Sequence, residues 1–575
     1  MSDNICTNNY VPNKFHRYRL HLFVSVVVLA LIATLYNFKE LGFVDGDGMV
    51  YYRSAVTDIA IGEWIVSGKD YNLADSLRAQ NIIPVSNYYA KPLWHIINVI
   101  SLVMFGQHDY VLPLVNGLFA CFCIALVFLF GEMMFDTETG FWSALLLLPM
   151  PIFLWHGRTD MAHMVQLFFL LLGYYFYVKE FVERGERVFL YLPLAGLCFG
   201  FAILTHASSL FYVVCFALFE FFRLLRGDFK FIQLLKRSIL IAVPVICAAL
   251  LINLLYFGFI KFMGAEGRAL FPSSGWFAYN TYFDQIKFNN NGMKTFLFST
   301  VLGTASSDTR LLAIIQSFVY DVYIYEGWLL LLLITGAWFW FVKSGWREKN
   351  SLILLLCLAV IIPYGILVFG PVNPESRLLL PVFAFSSVPL GFLARELWHR
   401  RNLKYFKWGA VAIVLISFHN ALPIYSVNSG FKQIAQMLTE KNVKHVYTID
   451  TRVQVSSFME AYQIVVDTVD DWHGITTLPK ESYLILSYRD TFFNPPTKNE
   501  NVTFCKEVMG AVQPIKKEYF LPELHAMEMT RRKWSPFTDR LIEKVLGRNF
   551  KRHPFPIALY QVKDLNAFIQ MRENK

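Results

Sequence analysis

About eleven stretches of this chain are apolar for long enough to cross a lipid bilayer as helices, and they settle most of what it can fold into. A helix rises about 1.5 Å per residue, so about 20 mostly apolar residues cover a hydrocarbon core about 30 Å thick. The stretches lie near residues 20–38, 111–131, 141–156, 161–178, 189–205, 208–225, 238–260, 326–343, 351–369, 377–395 and 408–426. Over all 575 residues, 55% are apolar and only 17% charged, where a soluble globular chain carries about 25% charge. That balance excludes a cytosolic enzyme and a disordered protein. The first stretch follows Lys14, Arg17 and Arg19 as a signal peptide would, but it is long and no clean small-residue cleavage site follows it; it reads as a retained anchor. The 8 cysteines show no C-x-x-C spacing, and the nearest pair, Cys121 and Cys123, lies in an apolar run, so they read as small core residues.

Lysines and arginines in short loops stay on the cytoplasmic side. Four loops are rich in them: Lys179 to Arg187, Arg223 to Arg237, Lys343 to Lys349, and Arg395 to Lys407. All four share one side, with the N-terminus, if the apolar stretch 93–105 does not cross, and it is too short to do so. The net charge of +9 is then a topology signal, and no nucleic-acid partner is expected. The expected class is a polytopic α-helical membrane protein of about eleven spans, in the plasma (inner) membrane of the cell, over residues 1–426. A first extracytoplasmic loop covers 39–110 and a long one 261–325, and 427–575 forms a soluble extracytoplasmic α/β domain. In that tail, HVYTI at 445–449 and YLILSY at 483–488 read as strands and FKQIAQMLTE at 431–440 as a helix.

An ionisable side chain in the membrane costs about 2.5–3.5 kcal/mol on insertion scales, so those at span ends on one face call for a function. Asp45, Asp47, Lys91, His95, Arg158, Asp160, His163, His206, Glu375 and Arg377 all fall on the extracytoplasmic side of this map. Asp45 and Asp47 sit in VDGDG, read as a glycine-flanked turn after the first span. A carboxylate there can take a proton from a hydroxyl or bind a metal; a solvated D-G turn is the alternative, and the position that would close a calcium loop is Val56. Lys91 precedes a proline at the start of the short apolar helix, among Tyr88, Tyr89 and Trp94, where it can meet a phosphate or only snorkel. Arg158 and Asp160 share a short turn and can simply pair; His206 lies in a second tight turn, where a structural histidine is the alternative. Arg377, beside Glu375, has the fork that suits phosphate. Asn501-Val502-Thr503 fits a glycosylation triplet, a common one.

The order of these pieces resembles the lipid-dependent GT-C glycosyltransferases. The pieces are Asp47-x-x-x-Tyr51-x-x-x-Ala55, Lys91-Pro92-Leu93 before an apolar helix, Arg158-Thr159-Asp160, the GFAILTH run at 200–206, and Glu375-Ser376-Arg377 before LLLP. The likeness is to the branch of protein O-mannosyltransferases and lipid A aminoarabinose transferases, over about 400 residues. It implies transfer of a sugar from a polyprenyl-phosphate donor to an extracytoplasmic acceptor: lipid A, another glycan or a protein. By position it implies Asp47, with Asp45 and Asp160, as the acidic groups, and Lys91, Arg377, Arg158 and His206 around the donor phosphate. Tyr51, Tyr88, Tyr89 and Glu375 would line the substrate site. Three positions depart from the pattern: the second acid of its usual Asp-Glu pair is Gly48, its double proline is Pro92-Leu93, and the lysine often found after L-T is His206. A divalent cation is thereby left open, with no other cofactor expected. The competing classes are a lipid or glycan transporter, which would carry charges at mid-membrane and on both faces, and a membrane scaffold whose tail binds a partner.

Overall fold

The structure is a computed structural model that describes residues 17–44, 46–80, 82, 91–182, 188–206, 208–269, 330, 332–344, 351–363, 376–399, 406–449, 455–488, 500–520 and 555–574. Of Asp47 and Arg377 it describes the backbone; Asp45, Tyr88, Tyr89 and Glu375 lie outside the described residues. Among those residues, 5 helices are long and apolar enough to cross a membrane: Arg19–Glu40, Val111–Met134, His163–Val182, Phe231–Ile252 and Leu380–His399. The chain is a membrane protein of mostly helical fold.

The helices that place the site are α1 (Arg19–Leu35), α2 (Gly46–Val66), α3 (Leu73–Ala79), α4 (Pro92–Phe105), α5 (Val111–Met134), α6 (Thr137–Leu147), α7 (Pro151–His156), α8 (His163–Val182), α9 (Val188–Thr205), α10 (Ser209–Leu225) and α11 (Phe231–Ala269). The apolar run at 141–156 is therefore not one helix. Its Pro149 and Pro151 offer no N–H to the preceding turn, so α6 stops and α7 begins with Pro151 in its first turn. The α4 helix has 14 residues, opens on Pro92 and ends at Gly106 with φ +85°, which suits glycine and closes the helix short of a span. Two further short apolar helices, α12 (Leu332–Ser344) and α13 (Ser351–Pro363), lead to α14 (Leu380–His399) and α15 (Phe406–Ala421).

The helix ends next to the four basic loops lie together at one end of the bundle. Arg237 forks onto Glu180 at 2.7 Å and Glu220 at 2.9 Å, Arg226 donates to Ser351 Oγ at 3.1 Å, and Phe341 packs on Phe392. Buried in apolar surroundings, these forked pairs satisfy charges that would otherwise be stranded.

The tail folds as α16 (Phe431–Glu440), β1 (His445–Ile449), α17 (Val455–Ala461), β2 (Val465–Val469), β3 (Tyr483–Ser487), α18 (Glu500–Ala511), β4 (Lys516–Phe520), β5 (Phe555–Gln561) and α19 (Val562–Glu573). The five strands run in the order β2-β1-β3-β5-β4. β1 pairs in parallel with β2 (His445 with Val465) and β3, while β5 is antiparallel to β3 (Leu484 with Tyr560) and β4. The helix at 431–440 and the strands at 445–449 and 483–487 coincide with the patterns read from the sequence. The Asn501 amide donates to the Asp470 carbonyl at 3.0 Å and is buried, so the Asn501-Val502-Thr503 triplet is a packing element here.

Candidate active site

The VDGDG segment is not a free turn. Gly46 already belongs to α2, so Asp47 stands in the first turn of a 21-residue helix. From residue 47, Tyr51, Ser54 and Asp58 follow at steps of 4, 3 and 4, the spacing of one helical face. Lys91 and His95 make the matching step on α4. The two faces meet: Lys91 Nζ lies 4.7 Å from the centre of the Tyr51 ring, and His95 Nε2 is hydrogen-bonded to the Asp58 carboxylate. Lys91 is 8% exposed and His95 2%, so this is a cation-bearing, largely dry surface in which a fixed charge counts for more than it would in water. Asp58 has no motif of its own. Its helical spacing from Asp47 is the one signal that could have found it.

The turn after α7 is held from two sides. Asn116 Nδ2 donates to the carbonyls of Thr159 at 2.6 Å and Met161 at 2.7 Å. Arg158 Nη1 donates to the carbonyls of Tyr36 at 2.6 Å and Ala33 at 3.2 Å, which end α1, and its guanidinium lies 4.5 Å from the Tyr425 ring centre. Arg158 thus caps a helix C-terminus, where carbonyls lack helical partners. Arg158 does not pair with Asp160. The Asp160 side chain, fully buried, lies against Gly48, so closely that a Cβ on residue 48 would overlap its carboxylate. Asp160 thus brings a carboxylate to the first turn of α2 from a different part of the chain.

A file of histidines continues from there. The His156 and His163 rings are 5.1 Å apart, and His163 and His206 are 4.9 Å apart. Gln166 Nε2 donates to Ser208 Oγ at 2.9 Å and Ser209 Oγ at 3.0 Å, while His206 Nδ1 accepts from the Ser208 N–H at 3.2 Å. His206 is thereby fixed to its own turn. The 3-10 turn Ser376–Leu379, which carries Arg377, is tied to the same region, since Tyr212 of α10 donates to the Leu378 carbonyl at 3.0 Å. Leu93, next to Lys91, packs with Leu204. The starts of α2, α4 and α10, the end of α9 and the turns at 157–162 and 376–379 therefore gather at one end of the bundle. That end is the one away from the basic loops. Among the described residues, no three His, Cys, Asp or Glu side chains are grouped to hold a metal ion.

The tail closes over this end. Gly42, with φ +67°, lets the segment before α2 pass so close that a Cβ would lie 2.8 Å from Tyr462 Oη and 2.8 Å from Ser429 Cβ. The Phe43 N–H donates to Tyr462 Oη at 3.3 Å, and Ser429 N–H donates to the Leu41 carbonyl at 2.9 Å. Arg53 pairs with Glu460 at 2.7 Å and Lys432 with Asp109 at 2.9 Å. Burial pushes the Tyr462 phenol well above its ordinary value, and the nearby Asp109 and, less strongly, Asp160 carboxylates push the same way.

Helices, sheet and junction together match a known architecture. The apo crystal structure of the oligosaccharyltransferase of Archaeoglobus fulgidus superimposes with a TM-score of 0.51 at 14% identity, over 86% of this chain and 69% of that one. The chain shares the fold of that oligosaccharyltransferase. Two other solved structures are similar to this chain at lower scores. AglB of the same archaeon, with an inhibitory peptide and a dolichol-phosphate, reaches 0.49 at 13% identity, over 82% of this chain and 70% of that one. ArnT of Cupriavidus metallidurans, bound to undecaprenyl phosphate, reaches 0.45 at 11% identity, over 88% and 96%. No protein-family model and no curated protein sequence matches the chain.

Proposed function

We propose that this chain is a membrane glycosyltransferase that moves a sugar from a polyprenyl-phosphate donor to an extracytoplasmic acceptor. The observation that carries the reading is the meeting of Asp160 with Gly48 in the first turn of α2, next to Asp47, on the helix whose Tyr51 lies under Lys91. Acid and cation from three separate stretches stand at one helix junction, in a fold shared with an oligosaccharyltransferase.

In the proposed step, the acceptor hydroxyl oxygen attacks the anomeric carbon, the bond from that carbon to the phosphate oxygen breaks, and the phosphate leaves with the electron pair. Asp47 takes the hydroxyl proton or orients the hydroxyl, an effect of about 10²–10⁴-fold for general base catalysis. Asp160 sits behind it as the second acid, and Asp45 stands one step before the helix. Lys91 and Arg377 bind the leaving phosphate, with fixed charge placed where charge develops. His206 orients the turn at the end of α9. Tyr51, Tyr88, Tyr89 and Glu375 line the substrate side. A divalent cation would be held by Asp47 and Asp160 and would supply charge stabilisation for the leaving phosphate.

The test is mass spectrometry of envelope lipids and glycans from cells with and without the protein. One sugar-bearing species should disappear without it. Asp47→Asn and Lys91→Ala should each abolish that species while the protein still inserts in the membrane; normal levels in both variants would sink the mechanism.

A further inference from the structure

An open cleft of about 700 Å³ lies at the seam between the tail and the membrane part, within the range of small-ligand sites, about 300–1,000 Å³. One wall is Lys39, Gln107 and His108; the other is Gln436 and Gln463. Its charges are two lysines, Lys39 and Lys432, against three carboxylates, Glu40, Asp109 and Glu440, and the Lys432–Asp109 pair is already closed at 2.9 Å. The cleft therefore has no surplus of positive charge for a phosphate or an anionic headgroup. It does have a flat aromatic surface. His108, exposed, is stacked on Tyr110 with ring centres 5.0 Å apart and planes 14° apart. The Tyr110 ring also carries Lys39 Nζ 5.2 Å from its centre, so the free flat surface is the His108 ring, on which the C–H groups of a sugar can pack. Around it, three glutamine amides each offer both donors and an acceptor, the combination a hydroxyl uses. Gln463, at φ +61°, is the left-handed residue that closes α17, and it lines this rim.

We infer that this cleft binds an uncharged saccharide, as a second site outside the Asp47–Asp160–Lys91 junction, and that the saccharide belongs to the acceptor. Tyr462 stands between the two places, lining the cleft while its hydroxyl holds the segment that leads into α2. The inference rests on the transfer reading only in calling the saccharide an acceptor; binding itself does not depend on turnover.

The experiment uses the labelled full chain in detergent on an array of immobilised neutral, amino-substituted and sulfated oligosaccharides with peptide spots alongside. Neutral oligosaccharides should be retained over sulfated ones. His108→Ala and Gln436→Ala, both on exposed positions of opposite walls, should each lower retention about tenfold, equal to 1.4 kcal/mol. Asp47→Asn with Lys91→Ala should leave retention unchanged. Absence of neutral-sugar binding, retention of peptides instead, or loss of binding in the Asp47→Asn, Lys91→Ala protein but not in the cleft variants would overturn the inference. None of these results touches the transfer reading, which stands or falls on the missing envelope species.

Discussion

At the residue scale, the smallest side chain in the site decides how the acids are arranged. Gly48 leaves room for the Asp160 carboxylate, and nothing larger fits between them. Gly48→Ala should displace that carboxylate by about one ångström, and a misplacement of that size costs about 10²-fold in rate. Transfer rate per inserted protein is the measurement, and an unchanged rate would separate Asp160 from the chemistry. Position 48 also shows the limit of reading by motif. Its glycine looks like a missing acid when matched along the chain, because sequence order cannot show that residue 160 fills the same volume. Arg158 makes contacts that sequence order hides as well: its hydrogen bonds run to the carbonyls that end α1, more than a hundred residues away.

At the scale of elements, α2 is the piece on which the site and the tail both depend. One face of it turns Tyr51 and Asp58 to α4, while Arg53 reaches Glu460 at the end of α17. In that pair burial dominates: it holds the Glu460 carboxyl above its ordinary range despite Arg53, and it lowers Arg53 despite Glu460. The folded protein thus binds this proton more readily than the unfolded chain does. Glu460 accordingly favours the folded state most at low pH, and that contribution falls as pH rises through its raised folded pKa. Arg53→Met leaves a carboxyl that can take up a proton, whereas Glu460→Gln strands a guanidinium that stays charged, so Glu460→Gln should cost on the order of 3 kcal/mol at neutral pH and Arg53→Met less. Thermal unfolding of the two variants distinguishes them, and equal losses would contradict this account. The helical spacing of Asp47, Tyr51, Ser54 and Asp58 was present in the sequence but hidden by the two glycines of VDGDG, which read as a turn.

At the scale of the whole molecule, the tail and the first loop share a core. Phe43, Tyr52, Val56 and Ile59 pack in one cluster with Phe431, Ile434, Leu438 and Phe458. Each buried side chain of this size is worth about 1.5–3 kcal/mol, so the seam is held chiefly by apolar contact and the ion pairs fix its register. A chain ended at residue 426 should therefore fail to give a monodisperse particle in detergent, and high salt alone should not detach the tail from the intact protein. A well-behaved 1–426 fragment with its first loop protected from protease would refute the shared core. The sequence by itself determined that the chain is a helical membrane protein, where most apolar runs lie, which loops gather at one end, and the helix and strands that begin the tail, because hydrophobic length and period are local properties. Only the tertiary structure decided that Asp160 stands at Gly48, that Asp58 answers His95, that Arg158 caps α1, and that the tail clamps the segment leading into α2. Those are contacts between stretches far apart in the chain, and they follow from packing geometry, which no local pattern encodes.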